Sequence, residues 1–396
     1  MTQKSFTVAI VGGGTAGITV AAQLARKMTP DEIVIIDPAT HHYYQPLWTL
    51  VGGGIVSKEQ SAREEKDLIP KGVHFIQEAV ESFNLKKKTI KTDKNQEIAF
   101  QYLVVAPGLK LYWDQVKGLK EAIGQEGVVS NYAYDYVDYT WDAIRNFKGG
   151  RAIFTHPNTP VKCGGAPQKI MYLAEEFFEE VGVRNETEII FNSANTAIFD
   201  VPKYRETLEK VLKEKKIKTN FKTNLIEIDH KVKKATFENI DTGEIQTYQY
   251  DIIHVTPPMG PHRFIKSSEL ADENGWVDVD PNTLQHRRFS FIFGLGDSAN
   301  LPTSKTGAAI RKQAPTVVKN LLSLINGQPL NASYNGYTSC PIVTGRGKLI
   351  LAEFDYNKEP KETFPFNQAK QRYSMYFLKK ELLPRFYWHG MLKGRM

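Results

Sequence analysis

The stretch Phe6-Thr7-Val8-Ala9-Ile10-Val11-Gly12-Gly13-Gly14-Thr15-Ala16-Gly17 decides the fold. An apolar strand over 6–11 ends at Gly12, a small-residue helix is expected over 17–28, and Glu32-Ile33-Val34-Ile35-Ile36 reads as the next strand. Strand, glycine turn, helix and strand make a right-handed βαβ unit on a parallel sheet. Gly12 permits the tight turn, Gly14 lets a pyrophosphate approach the backbone, and Gly17 allows close helix–strand packing. Thr15 and Ala16 sit at the helix start, where free N–H groups face the phosphates. Asp37 closes the second strand, 20 residues after Gly17, where a carboxylate binds ribose hydroxyls. The register of strand, helix and acid predicts a dinucleotide site.

A second βαβ pattern follows, with a strand over 151–155, a helix over about 168–181 and a strand over 187–191. Strands 86–92 and 97–102 are expected to form a hairpin, 103–108 a strand ending in a turn, 217–256 a second sheet section and 289–297 a further strand, then a helix over 307–326. The fold class is therefore α/β, with two Rossmann-like domains and a C-terminal amphipathic segment. The first domain is discontinuous, 1–112 and 285–330; the second is 113–284; the last segment is 331–396. The second domain lacks a nucleotide fingerprint. Where one would lie, Val161-Lys162-Cys163-Gly164-Gly165-Ala166-Pro167 puts a cysteine instead.

Two later runs identify the first dinucleotide. Phe291-Ile292-Phe293-Gly294-Leu295-Gly296-Asp297 resembles the late glycine–aspartate motif of FAD-binding reductases, with Gly296 and Asp297 at the ribityl chain. Leu103-Val104-Val105-Ala106-Pro107-Gly108 resembles their middle turn, contributed by Ala106 and Gly108. The expected cofactor is FAD.

The chain has two cysteines among 396 residues, too few for a disulfide framework. Neither has metal-ligand spacing, so no metal site is expected. Cys163 adjoins Lys162 and precedes a helix start, and both features favour thiolate. Cys340, in Tyr337-Thr338-Ser339-Cys340-Pro341, reads as lying in a turn with an accessible sulfur. The pair is a candidate redox couple. Lys305 stands between two readings, a contact to flavin or quinone and an ordinary surface lysine.

Composition is that of a soluble globular protein: 41% apolar and 24% charged. No apolar run reaches the length of a membrane span. The N-terminus runs straight into the first strand without a secretory pattern, giving a cytoplasmic expectation. Of the net charge of +7, residues 366–396 contribute +6, seven Lys or Arg against Glu381. Seven large aromatic rings are interleaved with them. Such a mixture suits nucleic acid or an anionic membrane surface, and the segment's amphipathic pattern favours the membrane. A helix over 367–383 ended by Pro384, followed by Phe386-Tyr387-Trp388 at the interface, is the expected form; the alternative is that these rings complete the flavin domain's core.

The whole chain resembles the two-cysteine branch of the sulfide:quinone oxidoreductases. The resemblance rests on His42-Tyr43-Tyr44-Gln45-Pro46-Leu47-Trp48-Thr49-Leu50-Val51-Gly52, on Pro157 to Cys163, on His254-Val255-Thr256-Pro257-Pro258-Met259, and on Gly275 to Asp280. Asn300-Leu301-Pro302-Thr303-Ser304-Lys305-Thr306 and Tyr337 to Pro341 extend it. It implies that Gln45 and Pro46 belong to the cofactor site and that FAD is held non-covalently, since no third cysteine exists to link it. It further implies that hydrosulfide attacks a Cys163–Cys340 disulfide, leaving a persulfide on Cys340 and a thiolate on Cys163 facing the flavin. A sulfur acceptor (sulfide, sulfite or a small thiol) then clears Cys340, and electrons pass through FAD to a quinone. The implied location is peripheral, on the cytoplasmic side of a membrane, with no nucleic-acid partner. Two rivals remain on the residues alone: an NADH:quinone oxidoreductase, which needs a second fingerprint, and a non-catalytic flavin-bound redox sensor.

Overall fold

The computed structural model describes residues 4–396. Its first sheet is organised around strand Lys4–Val11, which pairs in parallel with Ile33–Ile36 on one side and Glu97–Val105 on the other. His74–Ile76 extends the sheet beyond Ile33–Ile36, and Ile292–Gly294 adds in parallel beside residues 103–105. The runs 97–102 and 103–105 are one continuous strand. Its first half also carries the antiparallel hairpin Val80–Asn84 and Thr89–Thr92. Residues 292–294 thus return to the sheet built around the first strand. The fingerprint helix is Thr15–Leu24, shorter than expected, and it packs on the long helix Gly307–Ile325.

The second sheet is parallel, in the order Val128–Val129, Ile252–His254, Gly150–His156, Thr187–Ser193 and Lys218–Phe221. Helix Ala166–Glu180 follows the Gly150–His156 strand, completing the second βαβ unit. A three-stranded antiparallel sheet spans Thr223–Gln249.

The C-terminal segment differs from its expected form in two ways. Residues 338–345 and 348–354 form an antiparallel hairpin, so Cys340 lies in a strand and not a turn. Alternation along a strand sends successive side chains to opposite faces. Val343, Leu349 and Leu351 therefore enter the core of the first domain, whereas Cys340, Ile342, Ile350 and Ala352 enter that of the second. The hairpin lies between two buried apolar clusters, and Cys340 is 1% exposed as a result. Pro341, which has no N–H to give, is tolerated because this is a two-stranded edge.

The expected single helix over 367–383 does not form. The Asn367 side chain accepts from the Ala369 N–H, a local turn that competes with helix. Helix begins at Tyr373–Phe377, widens through a π turn at Leu378–Leu382, and continues as Leu383–His389. Pro384 falls in the first turn of that last helix, where a missing N–H costs little, so it does not end the path. Tyr387 and Trp388 are buried in the first core, against the expectation that they face an interface; Tyr373, Phe377, Phe386 and Met396 are exposed. No helix among the described residues is long and apolar enough to cross a membrane.

Candidate active site

Three glycines meet three different demands. A Cβ on Gly12 would stand 2.4 Å from the Ala106 carbonyl oxygen, and one on Gly17 would stand 1.8 Å from that of Gly12. Gly12 also adopts φ +104°, which favours glycine. At Gly14 the position is open, with nothing within 4 Å, and no side chain caps the helix that starts at Thr15. That is the cradle a pyrophosphate fills: open backbone at an uncapped, positively polarised helix end. Asp37 accepts from the Gly13 and Ala39 N–H groups at 2.6 and 2.7 Å, which fixes it beside the loop. Ala106 is tied to Val11, and Gly108 has φ +73° with open space beside it. The donor set fits FAD.

A cavity of about 430 Å³ continues from this loop. Thr15, Gln45, Pro46, Cys163, Asp297 and Lys305 all line it, although they are scattered over 290 positions of sequence. Gly296, at φ +72°, gives its N–H to Gln313 and turns the chain so that Asp297 enters the cavity wall. Burial raises the Asp297 carboxyl above its ordinary range, opposed by Lys305 and Lys162. Lys305 is a wall residue and not a surface lysine. Its ammonium donates to the Asp297 and Ala299 carbonyls at 2.7 and 3.0 Å and sits 3.9 Å from the Trp276 ring centroid. Burial brings it down to about 8.

Cys163 and Cys340 are free thiols with sulfurs 3.6 Å apart. Cys163 has φ +56°, an unusual conformation for a side-chain-bearing residue. It is held there by its N–H bond to the Lys305 carbonyl (2.8 Å) and by its own carbonyl, which accepts from Ala166 at the helix start. Gly165 makes room for the second sulfur, since a Cβ there would lie 2.8 Å from Cys340 Sγ. The Cys340 thiol hydrogen-bonds Cys163, and the Lys169 ammonium lies 3.2 Å from the same sulfur. Together they hold Cys163 well below the usual thiol range despite its burial, while Cys340 is pushed up. The sequence pointed to Lys162 as the cation. Instead Lys162 lies over the Trp48 and Tyr132 rings, and Lys169, one helical turn into Ala166–Glu180, is the partner.

Lys379, from the π turn, also lines the cavity. It is 3% exposed, donates to the Pro46 carbonyl at 2.7 Å, and is brought down to about 7 by burial and by repulsion from Lys169. Beside it Leu378, Leu383 and Phe386 make an apolar wall. Neither Lys169 nor Lys379 was identified from sequence. Lys169 borders the apolar stripe of its helix and reads as that helix's solvent edge; Lys379 lies in a segment whose helical phase the π turn shifts.

One consequence is directly measurable. Replacing Lys169 by methionine removes an opposite charge at contact distance, which is worth about 1–3 pKa units. Alkylation of the reduced protein by iodoacetamide, followed against pH, should show the Cys163 transition moving upward by at least about one unit. An unmoved transition would leave Lys169 with a packing role only.

An uncapped phosphate loop, an aspartate at the cavity wall and two facing thiols define a flavin disulfide-reductase type of protein. The family model described as pyridine nucleotide-disulphide oxidoreductase matches residues 6–136. The chain is 51% identical over 391 residues to the mitochondrial sulfide:quinone oxidoreductase of Dictyostelium discoideum, covering 98% of this chain and 86% of that protein. It is 44% identical over 393 residues to the mitochondrial protein of the same name from Mus musculus, covering 99% and 87%. The solved structure of the sulfide:quinone oxidoreductase from the bacterium Aquifex aeolicus superposes with a TM-score of 0.84 at 20% identity, over 99% of this chain and 92% of that one. The chain belongs to the sulfide:quinone oxidoreductase family.

Proposed function

We propose that this FAD-dependent enzyme oxidises sulfide and reduces quinone through Cys163 and Cys340, with both substrates handled in the shared cavity. The observation that carries the reading is the pair of sulfurs 3.6 Å apart, with the Lys169 ammonium 3.2 Å from Cys163 at the cavity wall. In the oxidised pair, hydrosulfide attacks the Cys340 sulfur. The Cys163–Cys340 bond breaks, its electron pair stays on Cys163 as thiolate, and Cys340 carries the added sulfur. Lys169 stabilises the leaving thiolate, which is what makes Cys163 the better leaving group. A small nucleophile, either sulfide, sulfite or a small thiol, takes the outer sulfur and leaves Cys340 as thiolate. Re-forming the disulfide releases two electrons.

FAD supplies the two-electron carrier between that sulfur pair and the quinone. Gly12, Gly14, Thr15, Ala16, Gly17 and Asp37 would hold its phosphate and ribose end, with Ala106 and Gly108 beside the loop. Gln45, Pro46, Gly296, Asp297 and Lys305 would line its remaining length. Leu378, Leu383 and Phe386 suit an apolar quinone, and Lys379, near half-charged at neutral pH, suits proton delivery to it.

The protein is proposed to bind a membrane peripherally. Tyr373, Phe377, Phe386 and Met396 are four of the eight large exposed apolar side chains among the described residues, and all stand on the basic C-terminal segment. Rings at the interfacial layer and lysines near headgroups favour such docking. We keep the cytoplasmic face as its location; protease added outside sealed, right-side-out vesicles should then leave the chain uncut.

The distinguishing experiment is anaerobic mixing. Sulfide should bleach the flavin absorbance rapidly, and NADH should not, because the loop after strand Gly150–His156 carries Cys163 where a fingerprint would be. Fast, saturable bleaching by NADH alone would replace this reading with a nicotinamide:quinone reductase.

A further inference from the structure

The C-terminal helix Leu383–His389 faces two ways. Phe386 is 46% exposed, whereas its neighbour Tyr387 is 5% exposed and turned inward. The Tyr387 hydroxyl lies 2.7 Å from Thr15 Oγ1 and 2.5 Å from His42 Nε2. The other nitrogen of His42 is 3.3 Å from the Gly13 carbonyl and 3.4 Å from Glu65 Oε2. One buried hydrogen-bonded chain thus ties the last helix to both ends of the exposed Gly14 cradle. Beyond that helix the chain keeps hold of the same element: the Met396 carbonyl accepts from Gln23 at 2.7 Å, and a Cβ on Gly394 would touch the Ala22 carbonyl at 2.6 Å.

We infer that the C-terminal segment is a strap over the dinucleotide, latched by the Tyr387 hydroxyl, and that membrane docking of Phe386 tightens the latch. Adjacent residues on one short helix meet lipid and the phosphate loop, so holding the first restrains the second. A dinucleotide leaving the cradle must pass an element that Tyr387 ties to Thr15 and His42. Tyr387 acts through Thr15 and is a positioning residue. The coupling rests on the membrane reading above; the latch does not.

The test uses full-length holoenzyme and measures FAD release by the rise in free-flavin fluorescence after dilution. It is run with and without mixed phosphatidylcholine–phosphatidylglycerol vesicles, whose binding is scored separately by co-flotation. Tyr387→Phe keeps the ring, which stacks 4.4 Å from Tyr44, and removes only the hydroxyl. Wild type should release FAD slowly, and at least about fivefold more slowly on vesicles. Tyr387→Phe should release it at least about tenfold faster in buffer, bind vesicles as wild type does, and show no vesicle effect. Phe377→Ser, at an exposed ring of the same segment outside the cavity wall, should match wild type in buffer and lose the vesicle effect. Equal release from Tyr387→Phe and wild type in buffer overturns the latch. Vesicle binding that leaves wild-type release unchanged overturns the coupling alone. Absence of vesicle binding by every form removes the membrane reading and the coupling with it, and the buffer comparison still decides the latch.

Discussion

Replacing either Cys163 or Cys340 by serine should lower sulfide-dependent quinone reduction by at least about 10³-fold, or roughly 4 kcal/mol of barrier at 1.36 kcal/mol per tenfold, with FAD still bound. The two sulfurs act as one unit, so losing either ends the cycle and the effects do not add. The variants should differ in what remains. Without Cys163 the electron pair released by sulfide has no sulfur facing the cavity, and sulfide should no longer bleach the flavin. Without Cys340 there is no buried sulfur to receive the added atom, and mass spectrometry of sulfide-treated protein should lose the extra 340-linked sulfur that the wild type shows. Cys340 is buried beside Gly165 in an apolar cluster that includes Ile342, so the serine variant also buries a hydroxyl among apolar neighbours. Cys340→Ala controls for that. A variant retaining a tenth of wild-type turnover would demote the cysteine concerned to a supporting part.

The fingerprint loop was legible because its signal is local. Gly12, Gly14 and Gly17 each answer a requirement within one turn of chain, and the structure places them as the spacing demands. The cysteine in place of a second fingerprint was equally local, as was the approach of a helix start to Cys163. What could not be read is what arises from contacts across the chain. Cys340 looked accessible in a Ser-Cys-Pro run, yet pairing of 338–345 with 348–354 buries it between two apolar clusters. Lys162 is adjacent to Cys163 in sequence, but the backbone at φ +56° directs the two side chains to different neighbours, leaving the thiol to Lys169. His42 and Tyr387 meet across 345 positions, and nothing in either local sequence announces it. The tail misled for a further reason: Pro384 reads as the end of the helix, yet the helical path continues through the π turn into Leu383–His389, which carries Tyr387 and Trp388 into the core.

Removal of residues 364–396 should therefore cost the protein its flavin and its solubility, and not simply its access to quinone. Met375, Tyr376, Tyr387, Trp388, Met391 and Leu392 all lie in the first domain's core. Burying such side chains is worth about 1.5–3 kcal/mol each, and six of them amount to roughly 9–18 kcal/mol as an upper bound. Ordering the segment offsets part of this, so the deleted chain is not the whole effect. The larger consequence is what stays behind. Tyr44 loses the Tyr387 and Trp388 rings packed on it, and buried His42 loses the Tyr387 hydroxyl, beside the loop that forms the phosphate cradle. Unpaired buried polar groups and a newly exposed apolar face both disfavour the folded state, against a total stability of about 5–15 kcal/mol for a domain. The single substitution Trp388→Ala should show the same direction at smaller size, about 3–5 kcal/mol in chemical denaturation. The check is the ratio of flavin to protein absorbance in the soluble fraction after expression. A truncated protein that stays soluble and FAD-loaded, is bleached by sulfide, and is only slow to pass electrons to quinone would make the segment a docking module laid on a core complete without it.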